Sequence, residues 1–173
     1  KRETVIGGEG ADGGGRERLH RSRRERHVGG VDDDDAPVFF QEFEKIQHCK
    51  LPNFKPVTLP ILFQASEGGK GLEKAVDNLC KQVSQAIKDG KTFIILSDRG
   101  LDKEHAPIPA LLAVSAVNHH MIREGTRTRA SLILESGEPR EVHHFALLIG
   151  FGAGGINPYL AFETLDDMIR QGI

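Results

Sequence analysis

The sequence predicts an α/β fold of parallel βα repeats, forming an incomplete (β/α) barrel-like half behind a disordered N-terminal tail. Its 173 residues are enough chain for one hydrophobic core but not for two. Four short apolar runs are each followed by a segment with apolar residues at helical spacing, and successive strand–helix units require parallel strands. The first 35 residues hold eight glycines and no aromatic residue, so they cannot bury enough apolar surface to offset the cost of ordering their backbone.

Composition also divides the chain into two parts. We expect residues 1–45 to be a disordered or non-native leader and residues 46–173 to form the folded domain. The arginine-rich stretch 16–26 is typical of an RNA-binding arm, but the four aspartates at 32–35 offset its charge. The leader also lacks the apolar segment of a secretory signal.

Charge and cysteine content exclude several classes of protein. Lys+Arg 23 against Asp+Glu 25 leaves no basic field that would make nucleic acid the main partner. No apolar run approaches the roughly 20 residues that a bilayer span needs, so we expect no membrane partner either. The two cysteines, Cys49 and Cys80, provide neither a disulfide framework nor a zinc knuckle, which favours a reducing, cytoplasmic location.

The first βα unit begins at residue 57. The apolar run 57–63 starts with a β-branched residue and precedes a glycine cluster, which predicts a strand. Apolar residues then recur at offsets 0, 4, 7, 8, 11 and 15, which predicts a helix from Leu72 to Ile87 that ends at Gly90.

The second and third units repeat this pattern. Residues 92–96 (TFIIL) predict a strand that is covered on both faces. After a loop containing two prolines, residues 110–122 predict a helix so apolar that we expect a neighbouring domain or assembly to bury it. Residues 130–134 (ASLIL) predict a third strand. A helix with Pro139 in its first turn then follows, and its predicted apolar stripe consists of Val142, Phe145, Ala146 and Ile149.

The fourth unit is shorter than the others. Residues 155–157 predict a strand, and the apolar spacing after Pro158 fits one helix, whereas a capping pattern from Thr164 to Asp167 fits two successive pieces. Four units make half of a (β/α)8 barrel or a small open sheet, with strand edges left uncovered. We therefore expect the chain to be a fragment of a larger protein.

Two motifs suggest ligand binding at first sight. Residues 150–155 (GFGAGG) match the G-x-G-x-x-G string, but a helix is predicted before it and a strand after it, the reverse of a dinucleotide site. We predict a helix-ending turn with positive φ instead. The histidine pairs at 119–120 and 143–144 resemble metal ligands, yet adjacent helical residues point about 100° apart, so neither pair alone can chelate one ion.

Ligands of parallel α/β folds sit at the carboxyl ends of the strands, so the polar residues there are the candidate functional residues. They are loop or interface candidates: Asp98, Arg99, Glu135, Asn157 and Tyr159. Asp98 with Arg99 fits either a site for a substrate carboxylate or phosphate, or an ion-paired turn that positions a neighbouring loop. Residue types and spacing favour the ion-paired turn and leave both interpretations open.

Six blocks stand in one order along the chain: 95–100 (ILSDRG), 105–113 (HAPIPALLA), 122–125 (IREG), 135–138 (ESGE), 140–146 (REVHHFA) and 157–163 (NPYLAFE). Together they resemble the central domain of the large subunit of glutamate synthase, from about residue 56 to residue 173. The resemblance implies a domain that is an incomplete relative of that enzyme's FMN-binding (β/α)8 barrel.

The resemblance also implies what the complete enzyme does. Its glutaminase domain releases ammonia from glutamine, and the ammonia moves through a tunnel to an FMN site, where 2-oxoglutarate is converted to glutamate by reductive amination. Electrons come from NAD(P)H through a small subunit, or from ferredoxin. FMN and an iron–sulfur cluster belong to other domains, so for this domain we expect no catalytic, cofactor-binding or metal-binding residue. Its implied partners are the glutaminase and FMN domains, in the cytoplasm or, for a plant-type enzyme, in a plastid.

Two alternative functions remain open at this point. One is a stand-alone half-barrel that binds an anionic metabolite at the loops of Asp98, Arg99, Glu135 and Asn157. The other is a metal-dependent hydrolase that uses the histidine pairs.

Overall fold

A computed structural model describes residues 38–173, with side chains from residue 43 onward; the predicted disordered tail of residues 1–35 lies outside the described residues. A short 3₁₀-helix (Ala65–Glu67) and five α-helices are present in this part of the chain: α1 (Val38–Gln47), α2 (Gly68–Lys88), α3 (Ala110–Arg123), α4 (Val142–Gly150) and α5 (Tyr159–Gln171). Six strands accompany them: β1 (Pro56–Pro60), β2 (Leu62–Gln64), β3 (Phe93–Ser97), β4 (His105–Pro107), β5 (Ser131–Glu135) and β6 (Gly155–Asn157). None of the described helices is both long enough and apolar enough to cross a bilayer.

Strands β1, β3, β5 and β6 form one sheet in that order, and every pair in it is parallel. The predicted α/β class with parallel βα repeats is therefore confirmed. The register places Ser97, Glu135 and Asn157 side by side at the carboxyl ends of three neighbouring strands. This alignment brings the candidate residues into one region.

Both faces of the sheet are covered, as the continuous apolar runs predict. On one face, Ile94, Leu96, Leu132 and Leu134 are fully buried in the core that α2, α3 and α4 complete. On the other face, Ile95 and Ile133 pack with Phe43 of α1.

Helix α1 overlaps the predicted leader. Residues 38–45 form most of this helix, and Phe43 is only 8% exposed against the sheet. The remainder of the leader, up to residue 37, lies outside the described residues, and the boundary between residues 45 and 46 stays a prediction.

The strand predicted over residues 57–63 is interrupted at Ile61, and residues 62–63 belong to a strand of a second sheet. At Ile61 the chain leaves the sheet: the Ile61 N–H donates to the Ser97 carbonyl, and the Ile61 carbonyl accepts from Ile108, both at 2.8 Å. Strand β2 then pairs antiparallel with β4, which lies in the segment predicted as a proline-containing loop. A three-residue strand containing a proline is too short to show a period of two, so the sequence pattern does not reveal it.

The structure places the helices close to their predicted positions, but the face that α4 buries differs from the predicted one. Helix α4 begins at Val142, after the extended residue Glu141, and not at Pro139. Its buried residue is Leu148, whereas Val142 and Ile149 of the predicted stripe are 86% and 62% exposed. The segment after Pro158 is the single helix α5, and none of its residues is buried.

Helix α3 is less enclosed by this chain than its composition suggests. Ala113, Val114 and Val117 face the core and are fully buried. On its outer side, Leu112 and Ile122 are exposed. Any further burial of this helix would have to come from outside the described residues.

The glycine-rich turn after α4 has the predicted positive φ. Gly152 has φ +111°, and the turn follows a helix and precedes a strand, as expected for a helix end and not for a dinucleotide site. The Arg127 guanidinium fixes the turn, since it donates to the Gly152 carbonyl at 2.9 Å and to Asn118 Oδ1 at 2.6 Å.

We expect Gly152→Ala to lower the free energy of unfolding by roughly 3 kcal/mol, because Ala is strained at this φ and its Cβ would overlap the Asn118 side chain. Gly90→Ala is the matched control: Gly90 also has positive φ (+78°) but has open space around it, so its cost should be about 1 kcal/mol. Urea unfolding of both variants measures the difference. Equal costs would show that the Asn118 contact does not constrain the turn.

Candidate functional site

The carboxyl edge of the sheet collects polar side chains that are almost completely buried. Ser97, Asp98, Glu135 and Asn157 are 2–4% exposed, and Ser136 is fully buried. With two further residues they form what we call the carboxyl-edge cluster: Ser97, Asp98, Arg99, Glu135, Ser136, Asn157 and Tyr159. Buried polar groups are costly unless they are hydrogen-bonded, so the partners of each member determine what the cluster can do.

The Glu135 carboxylate is held from three directions. Ser97 Oγ donates to Oε2 at 2.6 Å, and Arg99 Nε donates to Oε1 at 2.8 Å. Gln47 of α1 reaches Oε2 at 3.4 Å. Glu135, at the end of β5, is thus joined to β3 through Ser97 and to α1 through Gln47.

The Asp98 carboxylate accepts hydrogen bonds from the loop that follows β5. Ser136 Oγ donates to Oδ2 at 2.7 Å, and the Gly137 N–H donates to the same oxygen at 3.1 Å. Tyr159, at the start of α5, lies close enough to Asp98 for this carboxylate to raise the pKa of the phenol. Asp98 therefore links the segments that follow β3, β5 and β6.

Tyr159 is strongly perturbed by this environment. Burial and the interaction with the Asp98 carboxylate together raise its pKa to about 12, against an opposing effect of Arg99. The phenol therefore stays protonated well above the physiological pH range.

Arg99 connects the cluster to α5. Besides its bond to Glu135, the guanidinium lies 4.0 Å from the centroid of the Tyr159 ring, and Nη2 is 3.6 Å from Glu163 Oε1. Tyr159 and Glu163 are four residues apart on α5, so both reach Arg99 from the first turns of that helix. Helix α5 is thus anchored over the carboxyl edge by polar contacts at its N-terminal end.

Asn157 is the one cluster member with an unsatisfied atom. Its Nδ2 is buried and has no hydrogen-bond partner among the described residues. The register places Asn157 opposite Glu135, on the same face of the sheet. The Nδ2 amide group is therefore free to donate a hydrogen bond to an additional oxygen atom.

All five predicted candidates, Asp98, Arg99, Glu135, Asn157 and Tyr159, thus come together at one edge. Sequence reasoning missed Gln47, Gly137 and Glu163. The four-residue spacing of Tyr159 and Glu163 is a signal that could have indicated Glu163. Nothing local indicates Gln47, because its contact with Glu135 spans 88 residues.

The histidine pairs make their hydrogen bonds outside the carboxyl-edge cluster, and His144 Nδ1 accepts from the Arg140 N–H at 3.2 Å. His119 Nδ1 donates to the Ser115 carbonyl at 2.8 Å, and His120 Nε2 lies 2.7 Å from Ser84 Oγ of α2. Within residues 38–173, no three His, Cys, Asp or Glu side chains lie close enough together to hold a metal ion.

Comparison with known proteins gives a consistent result. Residues 18–173 match the family model of the glutamate synthase central domain. The chain is 44% identical over 138 residues to the glutamate synthase [NADPH] large chain of Bacillus subtilis, and 47% identical over 133 residues to the ferredoxin-dependent glutamate synthase of Pyropia yezoensis. It is 40% identical over 141 residues to the glutamate synthase [NADH] of Saccharomyces cerevisiae.

These alignments cover most of this chain but little of each relative. They include 79%, 75% and 80% of this chain, respectively, and 9%, 8% and 7% of the relatives. The chain therefore spans less than a tenth of the length of these curated relatives.

The single tyrosine and the absence of tryptophan from the sequence make the Tyr159 titration directly measurable by ultraviolet absorbance. We expect a midpoint near pH 12 in the folded chain. Because the folded state holds this proton more tightly than the unfolded state, the associated stability should be complete below about pH 10 and lost as the pH rises towards 12.

Asp98→Asn removes the neighbouring charge and should bring the Tyr159 midpoint down towards the ordinary value of about 10. A midpoint that does not move in this variant would contradict the assigned contact between Tyr159 and Asp98.

A double-mutant cycle of Arg99→Ala and Glu135→Gln should give a coupling energy of roughly 1–2 kcal/mol, since the Glu135 side chain is 5% exposed and the bond is short. The Lys74–Glu67 pair is the control: its side chains are 77% and 48% exposed, and its coupling should stay below about 0.5 kcal/mol. Chemical denaturation of each variant supplies the values. Equal coupling energies for the two pairs would show that the Arg99–Glu135 pair stabilises the fold no more than an exposed ion pair does.

Proposed function

The chain belongs to the family of glutamate synthase central domains, and from this premise we propose that it acts as the connecting domain of a glutamate synthase and carries no catalytic residue of its own. In this proposal the domain holds its neighbours in position, while the chemistry takes place in them. The domain would occupy residues 46–173.

The observation that carries this proposal is the pairing within the carboxyl-edge cluster. In a parallel α/β enzyme, side chains at this edge are normally free to contact a ligand. Here Arg99 is bonded to Glu135 and also contacts Tyr159 and Glu163, and Asp98 is bonded to Ser136. Such pairing supports a structural joint, in which Asp98, Arg99, Glu135, Asn157 and Tyr159 are interface or positioning residues.

The outer surface supports a packing role as well. Large apolar side chains are exposed on α3, α4 and α5: Leu112, Ile122, Val142, Ile149, Leu165 and Ile169. Clusters of exposed apolar residues mark surfaces that contact other proteins or domains. We propose the glutaminase and FMN domains of the same polypeptide as those neighbours.

The complete enzyme, in this proposal, makes L-glutamate from glutamine and 2-oxoglutarate, with FMN and an iron–sulfur cluster held by other domains. The two cysteines of this chain are fewer than the thiolates that an iron–sulfur cluster takes, which supports a cluster held by another domain. The electron donor would be an NAD(P)H-oxidising subunit or ferredoxin. The enzyme would be cytoplasmic, or located in a plastid if it is of the plant type.

The alternative function, capture of an anionic metabolite at the same edge, is supported by the positive charge of Arg99. Against it, Glu135 and Glu163 place two carboxylates against that one guanidinium. The local field therefore disfavours a further anion.

We expect the 173-residue chain alone to form no glutamate from glutamine and 2-oxoglutarate with FMN and a reductant supplied. Calorimetry should also show no saturable heat with 2-oxoglutarate, glutamate or phosphate, because the edge is already occupied by its own side chains. Saturable binding that Arg99→Gln abolishes and Arg129→Gln preserves would establish the anion-binding alternative. Turnover by the isolated chain would refute the connecting role.

A further inference from the structure

We propose that a cavity between α3 and α4 is a binding site for a primary amine carried on a small apolar body. This α3–α4 cavity has a volume of about 290 Å³ and lies beside the first turn of α3. None of its lining residues belongs to the carboxyl-edge cluster, although the Glu138 N–H donates to Ser136 Oγ of that cluster at 3.1 Å. The proposal does not depend on the role of the domain in glutamate synthase.

The walls of the α3–α4 cavity are mostly apolar. Leu111 of α3, Pro139 of the preceding loop, and Leu147 and Leu148 of α4 line it. Pockets for drug-sized ligands run from about 300 to 1,000 Å³, so this cavity suits a smaller molecule. Burial of an apolar ring or branched chain against these walls would provide the main favourable contribution to binding.

Glu138 supplies the charge that selects the ligand. Both of its carboxylate oxygens accept from the Ala110 N–H, at 3.1 and 3.2 Å, so the carboxylate is held at the cavity by the start of α3. A carboxylate offers about four acceptor positions, and one N–H does not fill them. The positive end of the α3 dipole offsets part of the negative charge of Glu138, but the remaining acceptor positions of its carboxylate stay available to a ligand.

His144 does not oppose a cation in the cavity. The Arg140 N–H donates to His144 Nδ1 at 3.2 Å, which places the ring proton of the neutral imidazole on Nε2. The lining therefore has one negative side chain, one neutral imidazole and several apolar groups. That combination favours an ammonium group over a neutral alcohol, and disfavours a carboxylate.

The test uses three probes of one shape: 2-phenylethylamine, 2-phenylethanol and 3-phenylpropanoate. Each is titrated into the full isotope-labelled chain and followed by amide chemical shifts. We expect the amine to bind with a Kd of about 1 mM, shifting residues 110–111 and 147–148, the alcohol to bind several-fold more weakly, and the propanoate not to saturate.

Two substitutions separate the charge from the cavity. Glu138→Gln should weaken the amine about tenfold and leave the alcohol unchanged, because it removes charge but keeps an acceptor for Ala110. Leu111→Trp should fill the cavity and abolish binding of both probes. Leu112→Trp is the matched control, because Leu112 is the next residue of α3, is 41% exposed and does not line the cavity.

The proposal is overturned if the amine fails to saturate below 20 mM, or if its binding is unaffected by both Glu138→Gln and Leu111→Trp. Shifts confined to residues outside the cavity would overturn it too. The dispersion of the amide spectrum reports the fold of each variant, and if Glu138→Gln unfolds, the comparison of Leu111→Trp with Leu112→Trp decides.

Discussion

The pairing of the buried Glu135 carboxylate is the constraint on which the rest of the carboxyl edge depends. A charge that is almost inaccessible to water has to be matched by donors. Ser97 and Arg99 supply them from the end of β3 and the turn after it, and Gln47 supplies one from α1. Once Arg99 is held by Glu135, its guanidinium lies where the first turns of α5 can contact it. The pairing of one carboxylate therefore also helps to position α5.

Polar and apolar groups are distributed in an unusual way over this fold. Parallel α/β proteins generally keep the carboxyl edge open for ligands and cover their apolar helix faces. In the described part of this chain the carboxyl edge is filled by its own side chains, while α3, α4 and α5 expose large apolar residues. Such a distribution suits a domain whose outer faces pack against neighbours.

The failures of sequence reasoning have particular physical causes. For α4 the apolar residues Val142 and Ile149 outline a plausible buried stripe, yet a nine-residue helix is apolar on several sides, so periodicity cannot select the face that meets the core. Strand β4 was missed because pairing with β2, and not its own residue pattern, makes it a strand. The fold class and the main strands and helices were predictable, since each depends on apolar spacing within a short window.

For the candidate site, the sequence alone determined which polar residues follow the strands, and hence that Asp98, Arg99, Glu135, Asn157 and Tyr159 would meet at one edge. It did not determine their partners. Arg99 and Glu135 are 36 residues apart in the chain, and whether Arg99 faces a ligand or a neighbouring carboxylate depends on the register of β3 against β5. Hydrogen bonds of this kind form only when the strands have aligned and water is excluded. For this reason only the tertiary structure could decide that the side chains of the carboxyl edge pair with one another.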